Sequence, residues 1–111
     1  NVKSSNYIIN VSNDTWFGNS FGPYQHLEIS RIRAAENHIP IIRATNDGIS
    51  ALISSNGTIV DYIGKGESGI LNVKLVPTDV RTFYNSYGDL FTYFYILIVF
   101  LLMFLGRMRN A

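Results

Sequence analysis

The residues of this chain that could attack a carbonyl or move a proton form no catalytic pattern recognisable from spacing. There is no Cys, which removes thiolate nucleophiles, thiolate metal sites and disulfides together. His26 and His38 are the two histidines. On one helix they lie about 120° apart, too far round to share a metal ion. No His-Glu-x-x-His pair is present, so both read as surface or interface histidines. Ser, His and Asp all occur, yet no Gly-x-Ser-x-Gly elbow marks a nucleophile. Asp14 and Glu28 have the chemistry of general acids or bases, but their spacing gives no preference for that role over helix-start electrostatics and solvation. No cofactor motif emerges either: the Gly-rich stretch 64–69 lacks the spacing of a phosphate loop.

The stretch best suited to holding a ligand is Ser12-Asn13-Asp14-Thr15-Trp16-Phe17-Gly18, which carries the single Trp of the chain next to a Phe. Two adjacent aromatics on a polar loop make a wall for something apolar; the plainer reading is that they close the end of the core. The elements that position them are legible. Residues 7–11, Tyr-Ile-Ile-Asn-Val, predict a buried strand. Phe21-Gly22-Pro23 is a breaker, and Pro23 suits the first turn of a helix. In α/β folds ligands bind at this junction between strand end and helix start.

A helix is expected over 24–38. One face carries Leu27, Ser30, Arg31, Ala34 and Ala35, small enough for close approach to a sheet. Glu28 with Arg31 and Arg33 with Glu36 are spaced to pair on its surface. Asn37-His38 is the natural exit before Pro40. A strand follows over 39–45. Arg43 within it is unusual: if buried, it requires a carboxylate or backbone carbonyls. Asn46-Asp47-Gly48 is a turn. Strands are expected over 49–54 and 58–63, joined by the hairpin signal Asn56-Gly57. Leu71, Val73 and Leu75 alternate with Asn72, Lys74 and Val76, which predicts a further strand over 70–76. Several strands and one helix cannot cover both faces of a sheet. The soluble portion is thus half a layered domain, completed by missing chain or by a partner.

The 111 residues suffice for one small domain, and a net charge of +1 gives no electrostatic case for nucleic acid. Residue 1 is Asn, so a piece of a longer protein or a processed chain is expected; no signal peptide is visible. From 90 to 106 there is no charged residue. As a helix that run is about 25 Å long, the short end of a bilayer span. It is apolar all round, and so small a domain could not bury it as a core helix. Tyr93 and Tyr95 suit one interface, Arg107 and Arg109 the other, which puts the C-terminus in the cytoplasm by the positive-inside rule. The aromatic segment 81–89 suits the headgroup layer. The expected organisation is a domain over 1–80, a juxtamembrane linker over 81–89, a transmembrane helix over 90–106 and a tail over 107–111.

Four blocks carry a family resemblance: 12–18 above, Gly-Pro-Tyr-Gln-His-Leu at 22–27, Arg-Ile-Arg-Ala-Ala-Glu-Asn at 31–37, and Pro-Ile-Ile-Arg-Ala-Thr-Asn-Asp-Gly-Ile-Ser-Ala at 40–51. In order and spacing, with the terminal span, they resemble the C-terminal part of the apolipoprotein N-acyltransferases, a membrane branch of the nitrilase (carbon–nitrogen hydrolase) superfamily. The resemblance implies an α/β fold, the C-terminal part of an αββα sandwich, followed by one transmembrane helix in a bacterial inner membrane with the soluble part periplasmic. It implies an enzyme that takes an acyl chain from a phospholipid onto a Cys thiolate and passes it to the N-terminal amine of a diacylglyceryl-cysteine lipoprotein, assisted by a Glu and a Lys. None of those three residues matches a position here, so the chain alone is expected to be an inactive fragment, with no metal and no cofactor. By the same resemblance Asn13, Asp14, Trp16 and Phe17 belong to a loop beside the nucleophile, where an acyl chain must be held. Arg31, Arg33 and Glu36 resemble structural residues, and Arg43, Asn46 and Gly48 fit the strand and turn after the helix. The alternatives are a membrane-anchored, non-catalytic binding module and part of another nitrilase-family amidase.

Overall fold

The computed structural model describes residues 5–109. Residues 1–4, which open the 1–80 span, and residues 110–111, which close the 107–111 tail, lie outside the described residues. The element order is β1 (Ile8–Asn13), a single 3-10 turn (Thr15–Phe17), α1 (Gly22–Asn37), β2 (Ile41–Asn46), β3 (Ser50–Ile53), β4 (Ile59–Ile63), α2 (Phe83–Tyr87) and α3 (Leu90–Arg109).

The four strands form one sheet in chain order. β1 and β2 run parallel, from Ile8 opposite Ile41 to Asn13 opposite Asn46, so they need a crossover, and α1 supplies it. Pro23 lies in the first turn of α1, where its missing N–H is no loss. The helix closes at His38, whose φ of 52° is left-handed and whose N–H reaches the carbonyls of Ala34 and Ala35. β3 and β4 add antiparallel through the expected hairpin. Gly57 takes a φ of 83° at its tip, and a Cβ there would stand 2.9 Å from the Arg31 carbonyl. Only a glycine lets the hairpin lie this close against α1.

The core is the seam between α1 and one sheet face: Leu27 and Ala34 against Ile41, Ile49, Ala51 and Ile53, with Ile8 and Ile59 at the margin. Ala34 is what lets helix and sheet approach. Arg31 and Ala35, expected on this inner face, sit at its flank beneath the hairpin tip. On the opposite face Ile9, Val11 and Val60 are exposed. One helix layer on one sheet is therefore half of a sandwich, as the strand-to-helix ratio required.

The strand expected over 70–76 does not form. Burial does alternate there, with Leu71, Val73 and Leu75 partly buried and the residues between them exposed, but no ladder partner joins them. The run's end instead shares a groove with Pro40, Leu52 and Val60, through Leu75, Val76 and Pro77. Alternation recorded an extended chain with one face on the hairpin; it carries no information about hydrogen bonding.

The segment expected as a linker over 81–89 contains α2. Thr82 caps it, accepting from the Asn85 N–H at 3.0 Å. The Thr82 hydroxyl also donates to the Glu36 carbonyl, and buried Asn85 donates to Asn37 Oδ1 at 3.3 Å. Arg33 donates to the Tyr84 hydroxyl at 3.2 Å and to Glu36 at 3.0 Å. The Tyr84 hydroxyl and then the Glu36 carboxylate hold the guanidinium more firmly protonated than usual. After Gly88 the chain enters α3 at once, with Phe83 packed on Tyr87 and Phe91 at ring-centre distances of 4.6 and 4.8 Å. α3 is 20 residues long with Arg107 and Arg109 in its last turn. It is long and apolar enough to cross a membrane, and none of it is buried. Removing the cap should show locally: Thr82→Val is expected to cost about 1 kcal/mol and to speed amide exchange over 85–88 while β2 and β3 stay protected. Unchanged protection over 85–88 would contradict the docking of α2 through its cap.

Candidate functional site

The aromatic loop leaves β1 at the C-terminal ends of the two parallel strands. Its first fixing is local. Asn13 Oδ1 accepts from the Thr15 N–H at 3.1 Å, and the Trp16 indole N–H donates to the Asn13 carbonyl at 2.9 Å. The Asp14 N–H extends the β1–β2 ladder by one rung, to the Asn46 carbonyl at 3.0 Å. The resulting 3-10 turn projects Trp16 outward, 87% exposed, with Phe17 40% exposed beside it. Phe17 lies over the first turn of α1, where a Cβ on Gly22 would collide with its ring. Its edge meets the His26 ring at 6.1 Å and 65°.

Beneath the loop Asp14 turns inward and is fully buried, as is the guanidinium of Arg43 on β2. Arg43 Nη2 donates to Asp14 Oδ2 at 2.8 Å. Its Nη1 donates to Asn10 Oδ1 at 3.0 Å and Ser30 Oγ at 3.2 Å. The other carboxylate oxygen meets Ser12 Oγ at 3.1 Å and His26 Nδ1 at 2.9 Å. Strand, loop and helix thus converge on one carboxylate. Gly48 completes the enclosure, because a Cβ there would collide with Asp14 Oδ2 and Thr45 Oγ1. Two charges taken out of water in this way persist only as a hydrogen-bonded pair.

A family model described as carbon-nitrogen hydrolase matches residues 2–85. The chain belongs to the carbon–nitrogen hydrolase family. Relatives named apolipoprotein N-acyltransferase are similar over most of its length. That of Vibrio parahaemolyticus is 41% identical over 98 residues, 88% of this chain and 19% of the relative. That of Photobacterium profundum is 41% identical over 105 residues, 94% and 20%. That of Rickettsia bellii is 38% identical over 107 residues, 95% and 21%. The chain spans about a fifth of the length of these relatives. In this carbon–nitrogen hydrolase chain the blocks at 12–18, 22–27, 31–37 and 40–51 all fall within the matched span.

Of the loop residues singled out in the sequence, Trp16 faces outward, Phe17 lies half-exposed over α1, Asn13 shapes the turn, and Asp14 faces the interior. Arg43 has the carboxylate partner its burial demands. Asn46 supplies a backbone carbonyl to the loop. Arg31 pairs with Glu28 at 2.8 Å and also donates from Nε to the Gly57 carbonyl at 2.9 Å, fastening the hairpin to α1. Arg33 and Glu36 fasten α2. Sequence reasoning missed three residues. His26 is only one-third exposed and bonded to Asp14. Phe21 and Tyr24 flank the aromatic loop with exposed rings; the aromatic residues either side of Gly22-Pro23 were the available signal. A pairwise test separates the buried ion pair from simple packing. Asp14→Leu alone, which strands a buried guanidinium, is expected to cost about 3–5 kcal/mol, and the double variant with Arg43→Met to recover most of that. Chemical denaturation of the two single variants and the double variant measures it; additive losses would contradict the pairing.

Proposed function

We propose that this chain is the C-terminal portion of an apolipoprotein N-acyltransferase, and that its aromatic loop holds the acyl chain beside a nucleophilic Cys carried on the remainder of the enzyme. One observation carries the reading. Trp16, the largest side chain available, is almost wholly exposed, yet it stands on a loop pegged to the core by a buried ion pair. An exposed indole held in place is suited to an apolar ligand in contact with a polar headgroup region. Similarity to relatives bearing that name over most of the chain supports the same reading.

In the proposed reaction the Cys thiolate attacks the ester carbonyl of a phospholipid, and the lysophospholipid alcohol leaves. The N-terminal amine of a diacylglyceryl-modified apolipoprotein then attacks the thioester, loses a proton and expels the thiolate. A Glu serves as general base, and a Lys with backbone N–H groups holds the oxyanion. This chain has no Cys, so no thioester forms on it alone. Its contribution is to place the acyl chain, which sets how often the ester carbonyl meets the sulfur in attacking geometry. The open sheet face, with Ile9, Val11 and Val60, takes the second sheet of the sandwich from the rest of the same enzyme. α3 roots the domain in the bacterial inner membrane. Arg107 and Arg109 set its C-terminal end in the cytoplasm and the domain in the periplasm.

A chimera tests this. The matched segment of the Photobacterium profundum relative is replaced by this chain, and transfer of a labelled acyl chain from phospholipid to a diacylglyceryl-cysteine peptide is followed. The expected result is retained transfer, with Trp16→Ala slowing thioester formation roughly ten- to hundredfold at unchanged melting temperature. A folded, membrane-inserted chimera without transfer would overturn the assignment. Unchanged thioester formation in Trp16→Ala would overturn the role of the loop.

A further inference from the structure

We propose that His26 is a positioning residue. Through Asp14 and Phe17 at once, it fixes the loop that presents Trp16. The Asp14 carboxylate oxygens accept from Arg43 and Ser12. The His26 contact at 2.9 Å therefore assigns the proton to Nδ1, with Asp14 Oδ1 as acceptor. This bond reaches from the second turn of α1 into the buried pair. The same ring meets Phe17 edge-on at 6.1 Å.

Phe17 has its own seat on α1. Gly22 and His26 are one turn apart on that helix, so they share a face. Phe17 occupies the space that Gly22 leaves by lacking a side chain. Asp14 reaches inward and Phe17 lies on the helix, and the His26 side chain meets both. Asp14 without His26 keeps Arg43 and Ser12 as partners. The sheet therefore does not need His26; the orientation of the loop does. What the positioned loop holds rests on the acyl-chain reading above; the positioning itself does not.

Trp16 is the only Trp, so its emission reports the loop alone. The full chain is placed in nanodiscs of phosphatidylglycerol with and without brominated acyl chains. Time-resolved anisotropy and bromine quenching of Trp16 are then compared for wild type, His26→Ala and His26→Asn. Asn places an amide N–H where Nδ1–H stood. Loss of a hydrogen bond to a charged group should raise the ratio of mobile to immobile indole roughly tenfold in His26→Ala. His26→Asn should return it toward wild type, and far-UV dichroism should not change. Unaltered anisotropy in His26→Ala would overturn the proposal. So would His26→Asn as mobile as His26→Ala, or a loss of secondary structure in His26→Ala. Anisotropy that responds as expected, with no bromine quenching of the wild type, would sink the acyl-chain reading and leave the positioning role standing.

Discussion

A carboxylate and a guanidinium, both shut away from water, tie together strand, loop and helix at one end of this domain. Asp14 begins the loop after β1 and Arg43 sits in the middle of β2. Each alone would be ruinous in the interior, and a mere surface pair would be worth little. Their 2.8 Å contact is backed by Asn10, Ser30, Ser12 and His26, which replace part of the hydration the charged groups had in water. The neighbours are chosen to leave room for it. Gly48 is free of a side chain where Asp14 approaches, and α1 offers Ser30 where another helix would offer an apolar residue. The result is a loop whose first residue, Asp14, is anchored in the interior, while Trp16 projects outward and Phe17 lies half-exposed over α1.

The same economy runs outward from that pair. α1 is the crossover between the parallel strands, the lid of the core, the seat of Phe17 and the dock for both the hairpin tip and α2. Its two surface ion pairs each add at most about 1 kcal/mol, yet their arginines also bond to Gly57 and Tyr84 and so set where neighbouring segments lie. α2 joins directly to α3 through stacked aromatic rings. An apolar helix suited to a membrane is thereby coupled through one short helix to the element that carries His26. A lipid-facing reading of the loop and a membrane-rooted reading of α3 are mutually consistent, since a loop that takes chains from phospholipid has to be held at a set height above them.

Much of this was legible in the sequence wherever the signal was local. Asn56-Gly57 marked the hairpin, Pro23 and Pro40 bracketed α1, and the charge-free run marked α3. The demand of Arg43 for a carboxylate was legible too, but not that Asp14 met it, because nothing local links residues so far apart in the chain. Alternation over 70–76 predicts a strand, and the structure shows burial without a ladder. α2 has too few residues for a periodic pattern; it exists through its Thr82 cap and its contacts with α1. His26 showed nothing, since a histidine bonded to a buried carboxylate and one in solvent look the same in a sequence. The exposure of Trp16 was likewise hidden, as its composition fits a core plug equally well.

The most direct measurement is NMR of the Arg43 guanidinium in the membrane-embedded chain, with nitrogen and carbon labels on arginine and aspartate. The structure predicts slowly exchanging Nη protons, arrested rotation about Nε–Cζ, and a scalar coupling across the hydrogen bond between Nη2 and the carboxyl carbon of Asp14. A freely rotating guanidinium in fast exchange with water, with no coupling to Asp14, would contradict it.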